Sequence, residues 1–426
     1  MYDLRDPKFY DENEVEAELR RVFDVCHTCR MCFNYCPSFP SLFDAIDRHE
    51  RSGEGEVDAL TKPELDEVVD LCYQCKLCYV KCPYTPPHKF MLDFPRLMLR
   101  AKAARAKRAG VTLPDRFLGN PDLSARRSTG PLARFVNWMN RQRVVRVLME
   151  RTVGIHRDRM LPEFATETFE KWMKRHRQPN VAGENRVAIF ETCSVNYNYP
   201  NIGIAAVQVL ERNGKTVLRP RQVCCGMPAL DGGDVDLAVA NARKNVDVLY
   251  PLVKEGVPIL VLGPTCGYVI KKEWPDLLGT EEAKAVAEKT FDIGEYLAKE
   301  KAAGRLDTSF SVPQGKLAYH IPCHLRAQNI GQPFRQVLGA IPETSVEAVE
   351  QCSAVDGTWG LKKEYYTKSR QCAGKLCAGM KNANADRMIS DCMLAGLNVL
   401  EELGTQPAHP IEVLRDAYGM SADDAK

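Results

Sequence analysis

Cys26-His-Thr-Cys29-Arg-Met-Cys32-Phe-Asn-Tyr-Cys36-Pro37 is answered 46 residues later by Cys72-Tyr-Gln-Cys75-Lys-Leu-Cys78-Tyr-Val-Lys-Cys82-Pro83. Both runs obey C-x2-C-x2-C-x3-C-P without deviation. Three thiolates at two-residue gaps wrap a tight turn around three corners of one 4Fe–4S cube. The fourth lies just past that turn, where proline redirects the chain. In doubled runs of this kind the fourth cysteine ligates the other cluster. The spacing therefore assigns Cys26, Cys29, Cys32 and Cys82 to one 4Fe–4S cluster, and Cys72, Cys75, Cys78 and Cys36 to a second. The alternative is a pair of zinc sites. Zinc knots pair two C-x2-C halves and call for neither a third cysteine at the same interval nor a closing Cys-Pro. His27, inside the first loop, reads as a surface or supporting residue rather than a ligand.

The segment between the runs distinguishes two architectures. Ser41–Glu50 and Lys62–Leu71 carry apolar residues at helical intervals, and Thr61 precedes an acidic first turn as an N-cap. Helix is the reading for both. With its motifs so widely separated, this part resembles the α-helical ferredoxin domain of fumarate reductase iron–sulfur subunits rather than the compact β-type ferredoxin.

Composition sets the outer limits. The chain has 426 residues, 45% apolar and 27% charged, which suits a multidomain globular protein with a sizeable core. No stretch approaches the roughly 18–20 uninterrupted apolar residues of a spanning helix. Val257-Pro-Ile-Leu-Val-Leu-Gly263 is a short buried strand. The start, Met1-Tyr-Asp-Leu-Arg-Asp, has no basic leader with an apolar core, so the expected location is the cytoplasm. Seventeen cysteines in a reducing compartment point to metal rather than to disulfides.

From Arg100 to Gln178 the composition changes, with 19 Lys and Arg against 7 Asp and Glu. Apolar residues at helical spacing (Phe135, Trp138, Met139; Val144, Val145, Val147, Leu148; Phe164, Phe169, Trp172, Met173) make this a helical, basic connector. Three uses compete: solvated helices packed on their neighbours, a docking surface for an acidic redox partner, or an anionic membrane face. No nucleic-acid motif accompanies the charge, and nucleic acid is not expected as a partner.

Beyond residue 185 short apolar runs alternate with helical segments, the α/β pattern. Val187–Phe190 and Leu317–His320 are comparable strands, each running into a cysteine, Cys193 and Cys323. Cys224-Cys225-Gly226 and Gln351-Cys352-Ser353 follow, then Cys266 and Cys392. Equivalent cysteines are offset by 130, 127 and 126 residues, the mark of a duplication. The expected place for them is on loops at strand ends, where ligands gather in open sheets.

Cys224-Cys225-Gly226, His320-Ile-Pro-Cys-His-Leu325 and Gly357-Thr-Trp-Gly-Leu-Lys362 resemble the cysteine-rich (CCG) repeats of one iron–sulfur family. It includes the B and D polypeptides of heterodisulfide reductase, the C polypeptide of anaerobic glycerol-3-phosphate dehydrogenase, and lactate or glycolate oxidase iron–sulfur subunits. The order also matches: twin ferredoxin motifs first, two repeats after. The expected architecture is therefore α+β and α/β multidomain. It comprises an α-helical ferredoxin domain (1–99), a basic helical connector (100–185) and a duplicated α/β CCG domain (186–312 and 313–426).

The departures from the family pattern concern the closing C-x2-C. Val269 stands three residues after Cys266 and Ala395 three after Cys392. The first repeat keeps Cys193, Cys224, Cys225 and Cys266, enough for a third iron–sulfur cluster or a zinc ion. The second keeps Cys323, Cys352 and Cys392, with His320 or His324 as a fourth donor, an empty site or a substrate in the vacancy as the open choices. Buried core cysteines are the plain alternative for both sets. Cys372 and Cys377, five apart in a helix, face roughly 140° away from each other and read as core. His409 before Pro410 matches a family pattern and reads as structural.

No dinucleotide loop, P-loop or C-x-x-C-H haem attachment is present. A protein with clusters and no hydride cofactor relays single electrons. The expected function is an electron-transfer subunit of an oxidoreductase. It would link a flavoprotein dehydrogenase, or a partner such as a di-iron peroxidase, to an acceptor such as a quinone or another protein. The alternative is a reductase acting on a disulfide or similar substrate at a CCG-domain cluster. Peripheral attachment to the inner face of a membrane is compatible with either, and the residues leave open whether the chain turns over a substrate itself.

Overall fold

The computed structural model describes residues 3–178, 185–355 and 357–421. The N-terminal part is helical: Glu12–Cys29, Ser38–Ser52, Lys62–Leu71, Leu77–Lys81 and Phe94–Ala109. Asp11 caps the first helix by accepting from the backbone N–H of Asn13 and Glu14. Thr61 and Glu64 form a capping box on the third, as the acidic first turn predicted. Val15, Leu19, Val22 and Phe23 lie on one face of the first helix and meet Leu42, Phe43, Ile46, Leu65, Val68 and Val69. Each such large side chain, fully buried, contributes about 1.5–3 kcal/mol. Leu97, Met98, Ala101 and Ala104 of the fifth helix join the same core. That helix runs without a break through residue 99, the boundary that composition suggested.

The basic connector is helical over Leu113–Leu118, Pro121–Ser128, Ala133–Asn140, Arg143–Thr152 and Phe169–Arg175. Its parts differ in burial. Phe169 and Trp172 are buried on the helix Pro200–Arg212, where Gly203 allows the approach: a Cβ there would sit 2.5 Å from the Phe169 ring. Arg146 and Arg159 are buried too. Arg146 donates to the carbonyls of His156, Arg157 and Arg159. Arg159 donates to Gly360 O, Asn398 Oδ1 and Ser369 Oγ and pairs with Glu401. In contrast Leu132, Phe135, Trp138, Val144 and Leu148 are each more than half exposed.

The C-terminal part holds two parallel sheets. β1 (Arg186–Phe190), β2 (Thr216–Leu218), β3 (Ile259–Val261) and β4 (Thr290–Asp292) lie in the order β2-β1-β3-β4. β5 (Gly315–His320), β6 (Thr344–Val349) and β7 (Arg387–Ser390) lie in the order β6-β5-β7. The second order repeats the first, β5 standing for β1, β6 for β2 and β7 for β3. A parallel bridge from Ile389 to Ala408 occupies the place of the fourth strand. Even the following caps correspond: Asp292 accepts from Gly294 N–H, and His409 Nδ1 accepts from Ile411 N–H. His409 is thus structural.

One core runs between the two sheets. Val187, Ile189 and Leu260 of the first join Leu317, Tyr319 and Ile389 of the second through the helices Pro200–Arg212, Ile293–Ala302, Pro333–Leu338 and Pro410–Ala417. The helical N-terminal part docks on this body twice. Leu99 and Ala103 pack on Ala229, Leu230 and Ala238, and Leu71, Tyr73 and Leu77 pack on Trp359. No helix among the described residues is long and apolar enough to cross a membrane.

Candidate metal centres

The first ferredoxin run ends the helix Glu12–Cys29, and Arg30, directly after Cys29, takes the left-handed conformation at φ 49°. Lys76, directly after Cys75, does the same at φ 63°. The backbone thus turns at equivalent positions in both runs and gathers the thiols inward. Cys26, Cys29, Cys32 and Cys82 line one small cavity with Val25, Phe39, Phe43 and Leu92. Burial and the neighbouring thiols of Cys32, Cys82 and Cys29 push the Cys26 thiol well above its ordinary value. Burial, Cys82 and Cys29 push Cys32 up to about 11. Cys36, from the first run, lies instead with the second: burial, Cys72 and Cys75 raise it, and Cys78 is raised by burial, Cys75, Cys36 and Cys72. The first set is four sulfur donors around one small cavity, and in the second the thiols lie near enough to repel one another, a repulsion that a metal–sulfide core would relieve. The donor chemistry fits 4Fe–4S clusters.

The two sets differ in exposure. Cys72, Cys75 and Cys78 are buried, whereas Cys26, Cys29, Cys32, Cys36 and Cys82 are half-buried. Donors to the sulfurs include Gln74 Nε2 on Cys72 Sγ at 3.4 Å and Tyr84 N–H on Cys82 Sγ at 3.4 Å. His27 pairs with Glu50 at 3.1 Å and meets Arg30, and it is not among the residues lining the cavity of Cys26, Cys29, Cys32 and Cys82.

The cysteines downstream leave the C-terminal ends of the parallel strands. Cys193 follows β1, Cys266 follows β3, Cys323 follows β5, Cys352 follows β6 and Cys392 follows β7. The thiols of the first repeat neighbour one another in succession, Cys193 by Cys224, Cys224 by Cys225 and Cys225 by Cys266. Gly226, at φ 100°, permits the turn after the doublet, and a Cβ there would sit 3.3 Å from the Ala238 backbone. Two partners that no local pattern announces hold this loop. Asp122 Oδ2 accepts from Cys224 N–H at 2.7 Å, and Trp274 Nε1 donates to Cys225 O at 2.9 Å. Four clustered thiols, Cys193 half-buried and the other three buried, suit an iron–sulfur core or a zinc ion.

The second repeat divides its cysteines. Cys323 and Cys392 line the same cavity as the first repeat's four, a space of about 110 Å³ that also meets Asp391 and His324. Cys352 instead lines an open groove of about 610 Å³ between the two halves, together with Cys36 and Cys372. The Tyr73 hydroxyl donates to Tyr35 O at 3.0 Å, so the Cys352 thiol, 3.1 Å away, donates to the Tyr73 oxygen. Cys377 is buried, as read; Cys372 is half-buried at the groove.

Both candidate histidines are buried, and each is engaged by a group other than cysteine. His320 is buried against Ser390 Oγ at 2.9 Å. His324 lies between the halves of the molecule: Nε2 donates to Gln74 O at 2.8 Å, which leaves Nδ1 to accept from Thr265 Oγ1 at 2.9 Å. Burial holds His324 neutral, its pKa lowered to about 4. Gln74 lies between Cys72 and Cys75, and Thr265 precedes Cys266, so one imidazole connects the two loops. Beside it Lys76 Nζ pairs with Glu273 at 3.0 Å, both side chains buried, and Arg96 meets Glu273 at 3.3 Å. Burial pushes the Glu273 carboxyl up, but Lys76 and Arg96 outweigh it and hold the group at about 2.

Two family models match the chain. The Citrate utilization protein B Fer4-like domain covers residues 19–109, and the Cysteine-rich domain matches twice, over 187–271 and 317–398. The chain is 28% identical over 303 residues to the C polypeptide of the anaerobic glycerol-3-phosphate dehydrogenase of Escherichia coli (strain K12), covering 70% of this chain and 76% of that protein. It is 28% identical over 235 residues to the B polypeptide of the fumarate reductase (CoM/CoB) of Methanothermobacter marburgensis, covering 54% and 45%. It is 28% identical over 187 residues to lactate utilization protein A of Bacillus pumilus, covering 42% and 75%.

Proposed function

We propose, from the premise that the chain belongs to the iron–sulfur proteins joining a Fer4-like domain to two cysteine-rich (CCG) domains, that it is an electron-transfer subunit of an oxidoreductase. It relays electrons between a flavoprotein dehydrogenase or similar redox partner and an acceptor, either a quinone or another protein. Relatives named as dehydrogenase and reductase subunits support this reading. The observation that carries it is the His324 bridge, which joins the Gln74 loop to the Thr265 loop through two hydrogen bonds.

Cys26, Cys29, Cys32 and Cys82 would hold one 4Fe–4S cluster; Cys72, Cys75, Cys78 and Cys36 would hold the other. Cys193, Cys224, Cys225 and Cys266 would hold a third. Such clusters, when bound, take up and release one electron at a time. The chain's own contribution is to pack Trp359 on the loop of the second set and to fix the Gln74 and Thr265 loops against each other. The buried Lys76–Glu273 pair, extended through Arg96 to Asp93 and Asp276, pins the backbone directly after Cys75.

The exposed apolar residues of Ala133–Asn140 and Arg143–Thr152, interleaved with Arg134, Arg141, Arg143 and Arg151, support peripheral attachment to an anionic membrane face. The apolar, thiol-lined cavity favours one second reading, reduction of a disulfide at the CCG site.

The test is anaerobic. In a single-turnover reduction followed by EPR, Cys36→Ser is expected to perturb the cluster of Cys72, Cys75 and Cys78, and Cys82→Ser the other. The reverse pattern sinks the crossed assignment. Slow electron transfer to the third centre in His324→Leu, with both midpoint potentials of the ferredoxin clusters unchanged, supports the relay. Catalytic reduction of an added disulfide by dithionite-reduced protein alone would favour the second reading.

A further inference from the structure

The first repeat does not close its own site. Val269 stands where a further thiol would follow Cys266, and the open side of the cavity is walled by the second repeat. Strand order brings that wall there. β5 and β7 are neighbours with His320 opposite Ser390, so Cys323 and Cys392, three and two residues further on, leave the same sheet edge. Cys392 lies close enough to Cys266 for their charges to interact. Cys352, the remaining cysteine of the second repeat, lines the separate groove and is engaged by the Tyr73 oxygen and the Ala354 N–H.

Asp391 is an independent observation. Its side chain lines the same cavity and is 3% exposed. Oδ2 accepts from the Tyr319 hydroxyl, whereas Oδ1 has no hydrogen-bond partner. The buried Asp292 carboxyl is near enough to repel it. A buried carboxylate oxygen left bare beside a second acid is strongly unfavourable unless a cation or a donor meets it. Iron accepts a carboxylate oxygen in non-haem sites.

We propose that the two repeats build one metal centre between them. Cys193, Cys224, Cys225 and Cys266 of the first repeat bind an iron–sulfur core, and Cys392 with the free oxygen of Asp391 closes it from the second. Cys323 contributes to the wall, and the second repeat forms no centre of its own. The duplication has thereby become a division of labour: one copy carries the thiolates, and the other supplies the closing side and, through Cys352, the groove. This rests on the reading of the first repeat as a third iron–sulfur site, and the experiment separates the two claims.

The full chain is reconstituted anaerobically and assayed for iron, sulfide and low-temperature EPR beside four variants. Wild type is expected to hold about twelve irons, four for each of three clusters. Cys225→Ser is expected to lose the third set while both ferredoxin signals persist. Cys392→Ser and Asp391→Asn are each expected to shift or abolish the third signal, and Cys352→Ser to leave it unchanged. About sixteen irons in wild type, four clusters' worth, would overturn the shared centre. So would unaltered iron and g values in Cys392→Ser, and either result leaves the Cys225→Ser outcome standing. About eight irons in wild type, two clusters' worth, or no loss in Cys225→Ser, would remove the third-centre reading itself. Should Asp391→Asn lose the ferredoxin signals as well, it has failed to fold, and Cys392→Ser decides alone.

Discussion

Lys76 and Glu273 are 2% and 4% exposed, and they meet across the junction of the helical and sheet-bearing halves. A pair so deeply buried adds little net stability, but removing one partner strands the other charge at a cost of about 3–5 kcal/mol. Glu273→Gln is therefore expected to lower the thermal midpoint of the anaerobic holoprotein sharply. The double change Lys76→Met with Glu273→Leu is expected to recover most of the loss, and a double variant as unstable as the single would refute this. Nearer the surface, His49 lies between Glu64 and Glu54, at 3.0 and 2.7 Å. Hydrogen bonds to Glu64 and then Glu54 raise its pKa above the usual 6.5. A raised histidine stabilises the fold in its charged form, fully below pH 6.5 and no longer once the pH has risen through the folded value. The melting-point gap between wild type and His49→Gln should thus be widest near pH 6 and close as the pH approaches 9.

At the scale of elements, much was legible because the signals are local. The helices Ser38–Ser52 and Lys62–Leu71, the Thr61 cap and the strands β1 and β5 follow from periodicity, capping chemistry and short apolar runs. The connector was legible only as a composition. Counting its charges could not separate Arg146 and Arg159, which are buried on backbone carbonyls and Glu401, from arginines that remain in water. Nor could it tell Phe169, which is fully buried, from Phe135, which is exposed. That separation is what marks Ala133–Asn140 and Arg143–Thr152 as amphipathic helices with exposed apolar side chains. Trp138→Ser combined with Val144→Asp is expected to abolish co-sedimentation with vesicles containing phosphatidylserine. Retained binding by that double variant, or equal binding of wild type to neutral vesicles, would show that another surface or no charge attraction is responsible.

Across the whole molecule, the cysteine spacing announced the duplication, and the repeated strand order β2-β1-β3 and β6-β5-β7 has the same form. The meeting of the halves was not legible. His324 and Gln74 are 250 positions apart, and Asp122 reaches Cys224 over 102. Contacts of that separation leave no periodic trace in one sequence. The same applies to the junction at Trp359, whose indole donates to Asp70 O at 2.9 Å while its ring stacks on Tyr365. Trp359→Phe keeps the packing and removes that donor; a loss of about 1–2 kcal/mol is expected in denaturant titration, with iron content unchanged. Iron lost from the Cys72 set at native denaturant levels would mean the tryptophan seals that site rather than merely pinning it.

The burial of Cys72, Cys75 and Cys78 beneath the sheet-bearing half also orders events in the cell. An assembly scaffold can reach Cys26, Cys29, Cys32 and Cys82 on a finished molecule, since that set remains half-open. Of the inner set Cys36 reaches the open groove, whereas Cys72, Cys75 and Cys78 are expected to receive their cofactor before the C-terminal half closes over them. Maturation is therefore expected to proceed from the inside outward, with the inner cofactor delivered before closure. Repair after oxidative damage follows the opposite logic: the outer set can be refilled in place, but a chain that has lost its inner set must reopen or be degraded.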